Sequence, residues 1–212
     1  MKPMQKTLLA IGAVLLLAVA ALYPTTRGFQ ALTADTARRV ELARDPRPLP
    51  SMTLVDQQRQ AFDLQTYPGQ PGRWTVATLV YTQCTAICRA SATGLAYIQE
   101  ALAEHPALEG RVQLLTLSFD PARDTPEQLD AYARQLRARA DIWRFATVTQ
   151  EADLLRMLNL FDIIVLPDRM GGYDHNAGLF LVNPEGRIMR AYDVTRPDLV
   201  LADLLAFSTL AP

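Results

Sequence analysis

The chain has few cysteines, few histidines and no excess of charge. Its 212 residues include two cysteines and two histidines, and 21 lysines and arginines offset 22 aspartates and glutamates to give a net charge of −1. Because a surface that binds nucleic acid needs an excess of basic residues, we expect no nucleic-acid partner. A closed structural zinc site needs four nitrogen or sulfur ligands, and this chain has too few candidates for one.

Charged residues are also absent from a long N-terminal stretch, residues 7–26. This apolar run is long enough to cross a hydrocarbon core of ~30 Å, and Lys2 and Lys6 before it would keep the N-terminus in the cytoplasm. Residues 18–20 (Ala-Val-Ala) also resemble a signal-peptidase site. Because the apolar run continues to Pro24, we favour an uncleaved, single-pass inner-membrane anchor with the domain in the periplasm. Cleavage would instead release the protein into the periplasm.

What the chain does contain is a short stretch that joins an apolar strand to both cysteines. Residues 74–81 are apolar and β-branched, which is typical of a buried strand, and an alanine-rich helical stretch begins at Cys84 and Cys88. Residues four apart on a helix share a face, so the two sulfur atoms can meet at one point. The N-terminus of a helix favours thiolate over thiol. The pattern therefore predicts a reactive pair of thiols.

The chain is expected to have three parts. Residues 1–26 form the anchor or signal segment, residues 27–49 a stalk helix and a proline-rich linker, and residues 50–212 one globular domain. The expected elements of that domain are a hairpin (Met52–Val55 with Gln60–Leu64), strands at Trp74–Tyr81, Val112–Phe119 and Ile142–Val148, helices at Pro126–Arg139 and Glu151–Leu160, a second hairpin (Leu179–Val182 with Arg187–Tyr192) and a C-terminal helix at Pro197–Phe207. This alternation predicts an α/β, thioredoxin-like fold, with a central mixed sheet flanked by helices and an N-terminal hairpin extension.

One histidine is predicted to lie beside the cysteines. In a thioredoxin-like fold, the loop after the first main strand approaches the segment before the last hairpin, which here contains His175. His175 should therefore face Cys84 and Cys88. Two thiolates and one imidazole suit Cu(I), and Cu(II) can bind with a further oxygen ligand. Asp174 is a candidate acceptor that orients His175 and equally a candidate turn residue.

A third motif follows the second main strand, at residues 120–126 (DPARDTP). Thr125 suits the N-cap of a helix and Pro126 its first position. Arg123 is expected to hold the loop that leads into this helix.

Together, the three motifs resemble the Sco/SenC family of copper-binding, thioredoxin-fold proteins. They are Tyr81–Cys88 (YTQCTAIC), Ser118–Pro126 (SFDPARDTP) and Asp174–Ala177 (DHNA), and the likeness covers residues 50–207. The resemblance implies a membrane-tethered metallochaperone that helps assemble the copper centre of cytochrome c oxidase, with Cys84, Cys88 and His175 as copper ligands. Its implied partners are the copper-bearing oxidase subunit and a protein that donates copper or reduces thiols. Thr85 and Arg89 stand where family members commonly have proline, and Gln83 stands where histidine is common.

A thiol-disulfide oxidoreductase or redox sensor that uses the same cysteine pair is the alternative function. Oxidoreductases of this fold usually carry C-x-x-C and a cis-proline before the final hairpin. This chain has a wider cysteine spacing and a histidine in that place, and both differences favour copper. A purely structural disulfide is a third interpretation, but so small a loop would contribute little stability.

Overall fold

The computed structural model describes residues 3–25, 33–67, 72–84 and 87–210. Its helices are α1 (Pro3–Thr25), α2 (Ala34–Arg44), α3 (Ile87–Glu104), α4 (Pro126–Gln135), α5 (Glu151–Leu160) and α6 (Pro197–Leu210), with a 3-10 turn at Pro106–Leu108. Its strands are β1 (Arg47–Pro48), β2 (Thr53–Asp56), β3 (Ala61–Asp63), β4 (Trp74–Val80), β5 (Val112–Ser118), β6 (Trp143–Val148), β7 (Val165–Pro167), β8 (Tyr173–His175), β9 (Leu179–Val182) and β10 (Arg187–Tyr192).

Within the described residues, one large mixed sheet has the strand order β1-β10-β9-β4-β5-β6-β2-β3, and β7 and β8 form a separate hairpin. The central strands β4, β5 and β6 are parallel, and β9 pairs antiparallel with β4. Central parallel strands are buried on both faces, which explains the nearly continuous apolar sequences of β4 and β5. The thioredoxin-like prediction is confirmed.

The sheet has a hydrophobic core on each face. Successive residues of a strand point to opposite faces. Thus Val76 packs in the core formed with α3 and α6, whereas Ala77 and Leu79 pack in the core that contains residues of α2 and α5. Helices therefore flank the sheet on both sides, and the loops at the C-terminal ends of β4 and β5 remain available for a site.

Both predicted hairpins are present, as β2–β3 and β9–β10. The turn between β9 and β10 ends at Gly186, whose N–H donates to Asn183 O at 3.0 Å. Gly186 has a φ of +73°, a conformation that glycine adopts without a Cβ clash.

The segment before the domain differs from the predicted stalk and linker. The helix α2 packs against β10, and Leu42 and Arg38 on its inner face are only 1% and 6% exposed. The proline-rich segment contributes β1, in which Arg47 and Pro48 pair with β10. The predicted start of the stalk helix, near Phe29, lies outside the described residues.

Helix α1 carries the N-terminal apolar run. By length and composition, Pro3–Pro24 is the one helix within the described residues that is suited to cross a membrane, with a mean hydropathy of 2.3. A signal sequence passes the same test, so both interpretations of this segment stay predictions.

Candidate metal centre

Cys84 lies in a turn between β4 and α3. Its backbone N–H donates to Tyr81 O at 3.2 Å, and its half-buried side chain packs against the core. The sequence predicts a strand, a short turn and then a helix that the two cysteines open; the helix instead begins at Ile87, so Cys84 lies in the turn. The convergence of the two sulfur atoms stays a prediction. Cys88 belongs to the first turn of α3, but its side chain lies outside the described part of the chain, as do Thr85 and the side chain of Arg89.

His175 is the last residue of β8, where it pairs with Val165 of β7. Its Nε2 lies 3.9 Å from Cys84 Sγ. The hairpin that carries His175 is not predicted from the sequence, but the expected approach of His175 to Cys84 is present. The assignment of these residues as metal ligands stays a prediction.

The hydrogen bonding of the imidazole determines which nitrogen faces the sulfur atom. His175 Nδ1 is 2.9 Å from the backbone oxygen of Asn176. Because a carbonyl oxygen only accepts, Nδ1 must carry the hydrogen, and in the neutral ring the lone pair is on Nε2. That lone pair faces Cys84. Asn176 O, and not the carboxylate of Asp174, is thus the ring's hydrogen-bond acceptor at Nδ1.

The surroundings of His175 favour the neutral form of the ring. Burial lowers the pKa of His175, and this effect exceeds the opposing effects of the bond to Asn176 and the charge of Asp174. A neutral imidazole is the form that binds metal. At neutral pH, His175 is therefore in the form that a metal ion would need.

We expect the metal-free protein to lose stability as the pH falls below about 6.5, the ordinary pKa of histidine. Since the pKa of His175 is lowered in the folded state, the unfolded chain takes up a proton first. The stability that the neutral ring contributes is present above the unfolded pKa and is lost as the pH falls through the folded pKa.

Urea unfolding gives the free energy of unfolding at about pH 7.5 and at about pH 5, which lie on either side of the ordinary histidine pKa. The free energy of unfolding should depend less on pH in His175→Gln than in the wild type. His105→Gln is the matched control, because it removes the other histidine of the chain. An unchanged pH dependence in His175→Gln would contradict the prediction.

Aromatic rings surround the imidazole. The ring centroids of Phe119 and Tyr81 lie 4.9 Å and 6.0 Å from that of His175, both in edge-to-face orientation. Tyr173 N–H donates to Tyr81 Oη at 3.2 Å, which fixes the hairpin to the end of β4. These rings limit the access of water to one side of His175 and restrict its rotation.

A buried carboxylate holds the cysteine loop to β5. Asp124 is fully buried and accepts hydrogen bonds from Thr82 N at 2.9 Å, Thr82 Oγ1 at 2.5 Å and Ser118 Oγ at 2.5 Å. Burial raises the pKa of Asp124, and these hydrogen bonds oppose that effect. Since Thr82 is two residues before Cys84, Asp124 determines where the cysteine loop begins.

Arg123 holds its own loop, as predicted, and also reaches the hairpin. Its guanidinium pairs with the carboxylate of Asp120 and donates to the backbone oxygen of Gly171. It lies over the rings of Tyr173 and Tyr81, 5.1 Å and 5.9 Å from their centroids. The arginine of the DPARDTP motif thus connects the loop after β5 to the strand that carries His175.

The distance between Cys84 Sγ and His175 Nε2 suits one metal ion bound to both atoms. Metal–sulfur bonds of about 2.3 Å and metal–imidazole bonds of about 2.0–2.1 Å place the two donor atoms about 3.6–3.8 Å apart at tetrahedral to trigonal angles. The observed 3.9 Å between Cys84 Sγ and His175 Nε2 is close to this range. Among the side chains that the structure describes, no three His, Cys, Asp or Glu residues form such a group, and Cys88 is not among them.

Most of the chain matches one known protein family. The model of the SCO1/SenC family matches residues 44–207. The chain belongs to the SCO1/SenC family. A relative from Stutzerimonas stutzeri, whose name refers to copper binding, is 31% identical over 179 residues, which span 83% of this chain and 83% of the relative.

Solved SCO1/SenC structures share the fold. Bradyrhizobium japonicum ScoI with copper bound matches with a TM-score of 0.61 and 22% identity, over 76% of this chain and 99% of ScoI. BsSco, described as a member of the Sco family of cytochrome c oxidase assembly proteins with a disulfide switch, matches with a TM-score of 0.65 and 23% identity. That match covers 79% of this chain and 96% of BsSco. At these identities the likeness shows the fold alone.

Two residues that organise the site of this SCO1/SenC protein are not predicted from its sequence. They are Asp124, described above, and Asn176. The Asn176 side chain accepts from Ile164 N at 2.7 Å and donates to Asp162 O at 3.0 Å, so it joins the two ends of the hairpin. The sequence signal for both is their position beside a motif residue, Arg123 or His175, but neither residue type alone indicates a buried or bridging role.

Proposed function

We propose that this protein is a membrane-tethered copper chaperone that binds one copper ion through Cys84, Cys88 and His175. It delivers the ion to the copper-bearing subunit of cytochrome c oxidase during assembly. The observation that carries this proposal is the lone pair of His175 Nε2, which faces Cys84 Sγ at 3.9 Å. Family membership supports it, since Sco proteins bind copper and take part in cytochrome oxidase assembly.

The chemistry of the donors suits copper as a cargo. Thiolates are soft ligands that select Cu(I), and imidazole binds copper in either oxidation state. Cys84 is half-buried rather than enclosed, so an incoming ligand of an acceptor protein can reach the ion. Stepwise replacement of one donor by another then transfers copper without leaving it free in solution.

The proposed location follows from α1. We place α1 in the inner membrane with the N-terminus in the cytoplasm and the domain in the periplasm, or in the periplasm without an anchor if α1 is cleaved. In this proposal residues 1–26 are the anchor, residues 27–49 lead into the domain and contribute α2 and β1 to its packing, and residues 50–212 carry the site. A copper donor or thiol reductant protein would supply the ion or keep both cysteines reduced, because only reduced sulfur binds copper.

Anaerobic titration of the reduced full-length protein with Cu(I), in competition with a chelator, tests this function. We expect one copper ion per chain, and His175→Ala should weaken binding by at least about tenfold, since even supporting residues of metal sites contribute 10–100-fold. His105→Ala is the control and should bind as the wild type does. Absence of tight binding to the wild type, or unchanged affinity in His175→Ala, would contradict the proposed site.

A second candidate function is thiol-disulfide exchange or redox sensing by Cys84 and Cys88. The disulfide switch described for BsSco favours it. In this reaction one thiolate attacks a disulfide of a partner, and a mixed disulfide forms as the partner's first thiolate leaves. The second cysteine then attacks the mixed disulfide, so that the partner is fully reduced and the pair is oxidised. Rapid reduction of a disulfide substrate by the copper-free protein would support this function.

A further inference from the structure

An arginine on the helix before the domain contacts the base of the hairpin that carries His175. Arg38, on α2, is 6% exposed. Its Nη1 donates to the backbone oxygen atoms of Asp162 at 3.2 Å and Phe161 at 3.4 Å. Its Nη2 donates to the backbone oxygen of Ala177 at 3.1 Å and to Asp35 Oδ1 at 3.0 Å. One guanidinium therefore binds three backbone carbonyls and one carboxylate.

These carbonyls belong to both ends of one hairpin. Phe161 and Asp162 directly precede the segment that enters β7, and Ala177 follows His175 by two residues. Because the planar guanidinium presents its donors in a fixed geometry, it sets the distance between the two ends. The hairpin itself pairs only three residues of each strand, too few to be stable without support from outside.

Burial of the Arg38 side chain is energetically unfavourable. Its Nε is buried and has no hydrogen-bond partner within the described residues, and its guanidinium carbon lies 5.2 Å from the centroid of the Phe180 ring. A Cβ at Gly178 would lie 3.1 Å from Arg38 Nη2, so glycine leaves the room that this contact needs. Because a buried charge with an unpaired N–H is unfavourable, an apolar side chain would serve packing alone at least as well. Stability by itself does not account for an arginine here.

We propose that Arg38 is a positioning residue for His175, which it holds opposite Cys84 by fastening both ends of the β7–β8 hairpin to α2. Arg38 precedes the residues that the family model matches, 44–207. The copper measurements below rest on the proposed function, whereas the exchange measurement does not.

Amide hydrogen exchange of the metal-free, full-length protein in detergent is the first test. Arg38→Met keeps an apolar stem and removes all four donor contacts. We expect exchange in residues 163–177 to be at least about tenfold faster than in the wild type, with smaller changes elsewhere, because local opening is governed by local contacts. Arg39→Met is the matched control, since the neighbouring Arg39 donates instead to Thr36 Oγ1 at 3.4 Å. Equal exchange of this segment in Arg38→Met and the wild type would overturn the proposal.

A second control separates positioning from general loss of stability. Leu204→Ala removes a fully buried side chain of α6 and should accelerate exchange throughout the domain. If the pattern of Arg38→Met matches that of Leu204→Ala, the effect is global and the positioning role is wrong. Arg38→Lys should restore part of the protection, because one ammonium group reaches some but not all of these carbonyls.

A double-mutant cycle on Cu(I) affinity shows whether Arg38 acts through His175. Arg38→Met should weaken binding by about tenfold, as expected for a residue that supports a ligand. In the His175→Ala background the same change should have no further effect, because the ligand that Arg38 positions is absent. Equal losses in both backgrounds would overturn the proposal. Absence of copper binding to the wild type would instead contradict the proposed function, and the exchange data would still test the hairpin.

Discussion

Cys84→Ser is expected to abolish tight Cu(I) binding by the reduced protein. The change replaces a soft thiolate by a hydroxyl that stays protonated, and it removes the sulfur atom that lies 3.9 Å from His175 Nε2. The loss should exceed the roughly 10–100-fold that follows from removal of a supporting residue. Competition with a Cu(I) chelator under anaerobic conditions measures it.

Cys84→Met is the matched variant for this prediction. A thioether is neutral but still soft, so this variant should bind Cu(I) more weakly than the wild type and more tightly than Cys84→Ser. Both variants should retain the fold, because Cys84 lies half-buried in a turn at the edge of the core. If Cys84→Ser binds Cu(I) as tightly as the wild type, Cys84 is not a ligand and the proposed centre is wrong.

Asp124→Ala is expected to destabilise the protein by about 2–4 kcal/mol, since each unsatisfied buried polar group costs about 1–3 kcal/mol. The change leaves the fully buried Ser118 hydroxyl and both polar groups of Thr82 without their shared acceptor. Urea unfolding measures the loss. The cysteine loop should also become more mobile, so thiol modification at Cys84 should be faster.

Two variants control for this prediction. Asp124→Asn keeps an oxygen acceptor of the same shape and should cost less than Asp124→Ala. Asp130→Ala removes a half-buried aspartate whose bond to Arg134 lies at the surface of α4, and it should change stability by less than about 1 kcal/mol. Similar losses in Asp124→Ala and Asp130→Ala would contradict the bracing role of Asp124.

Most elements could be predicted from the sequence, but the β7–β8 hairpin could not. The bounds of β9, β10 and α5 match the prediction, because apolar patterns mark them and a turn sequence separates β9 from β10. The strands β7 and β8 have three residues each, and β7 ends in a proline, so no alternation marks them. Their hairpin forms because Asn176 and its neighbours bind distant backbone groups, which no local pattern shows.

The candidate site, too, could be predicted only in part. The approach of His175 to Cys84 follows from topology, which the order of strands and helices determines. The position of Cys84 before the helix does not follow, because the sequence indicates a short turn between strand and helix but not the first residue of the helix, which is Ile87. The packing of α2 against the domain could not be predicted either, because an arginine such as Arg38 normally indicates a solvent-exposed face.

The packing of α2 onto the domain limits the distance between the domain and α1. If α1 is anchored, only eight residues of the sequence, 26–33, separate it from α2, which packs against the domain. Eight residues span at most about 30 Å when fully extended. Under the proposed function, this limit would keep the copper site near the membrane in which the proposed acceptor also lies. An acceptor that is free in the periplasm would have to approach the membrane to reach this site.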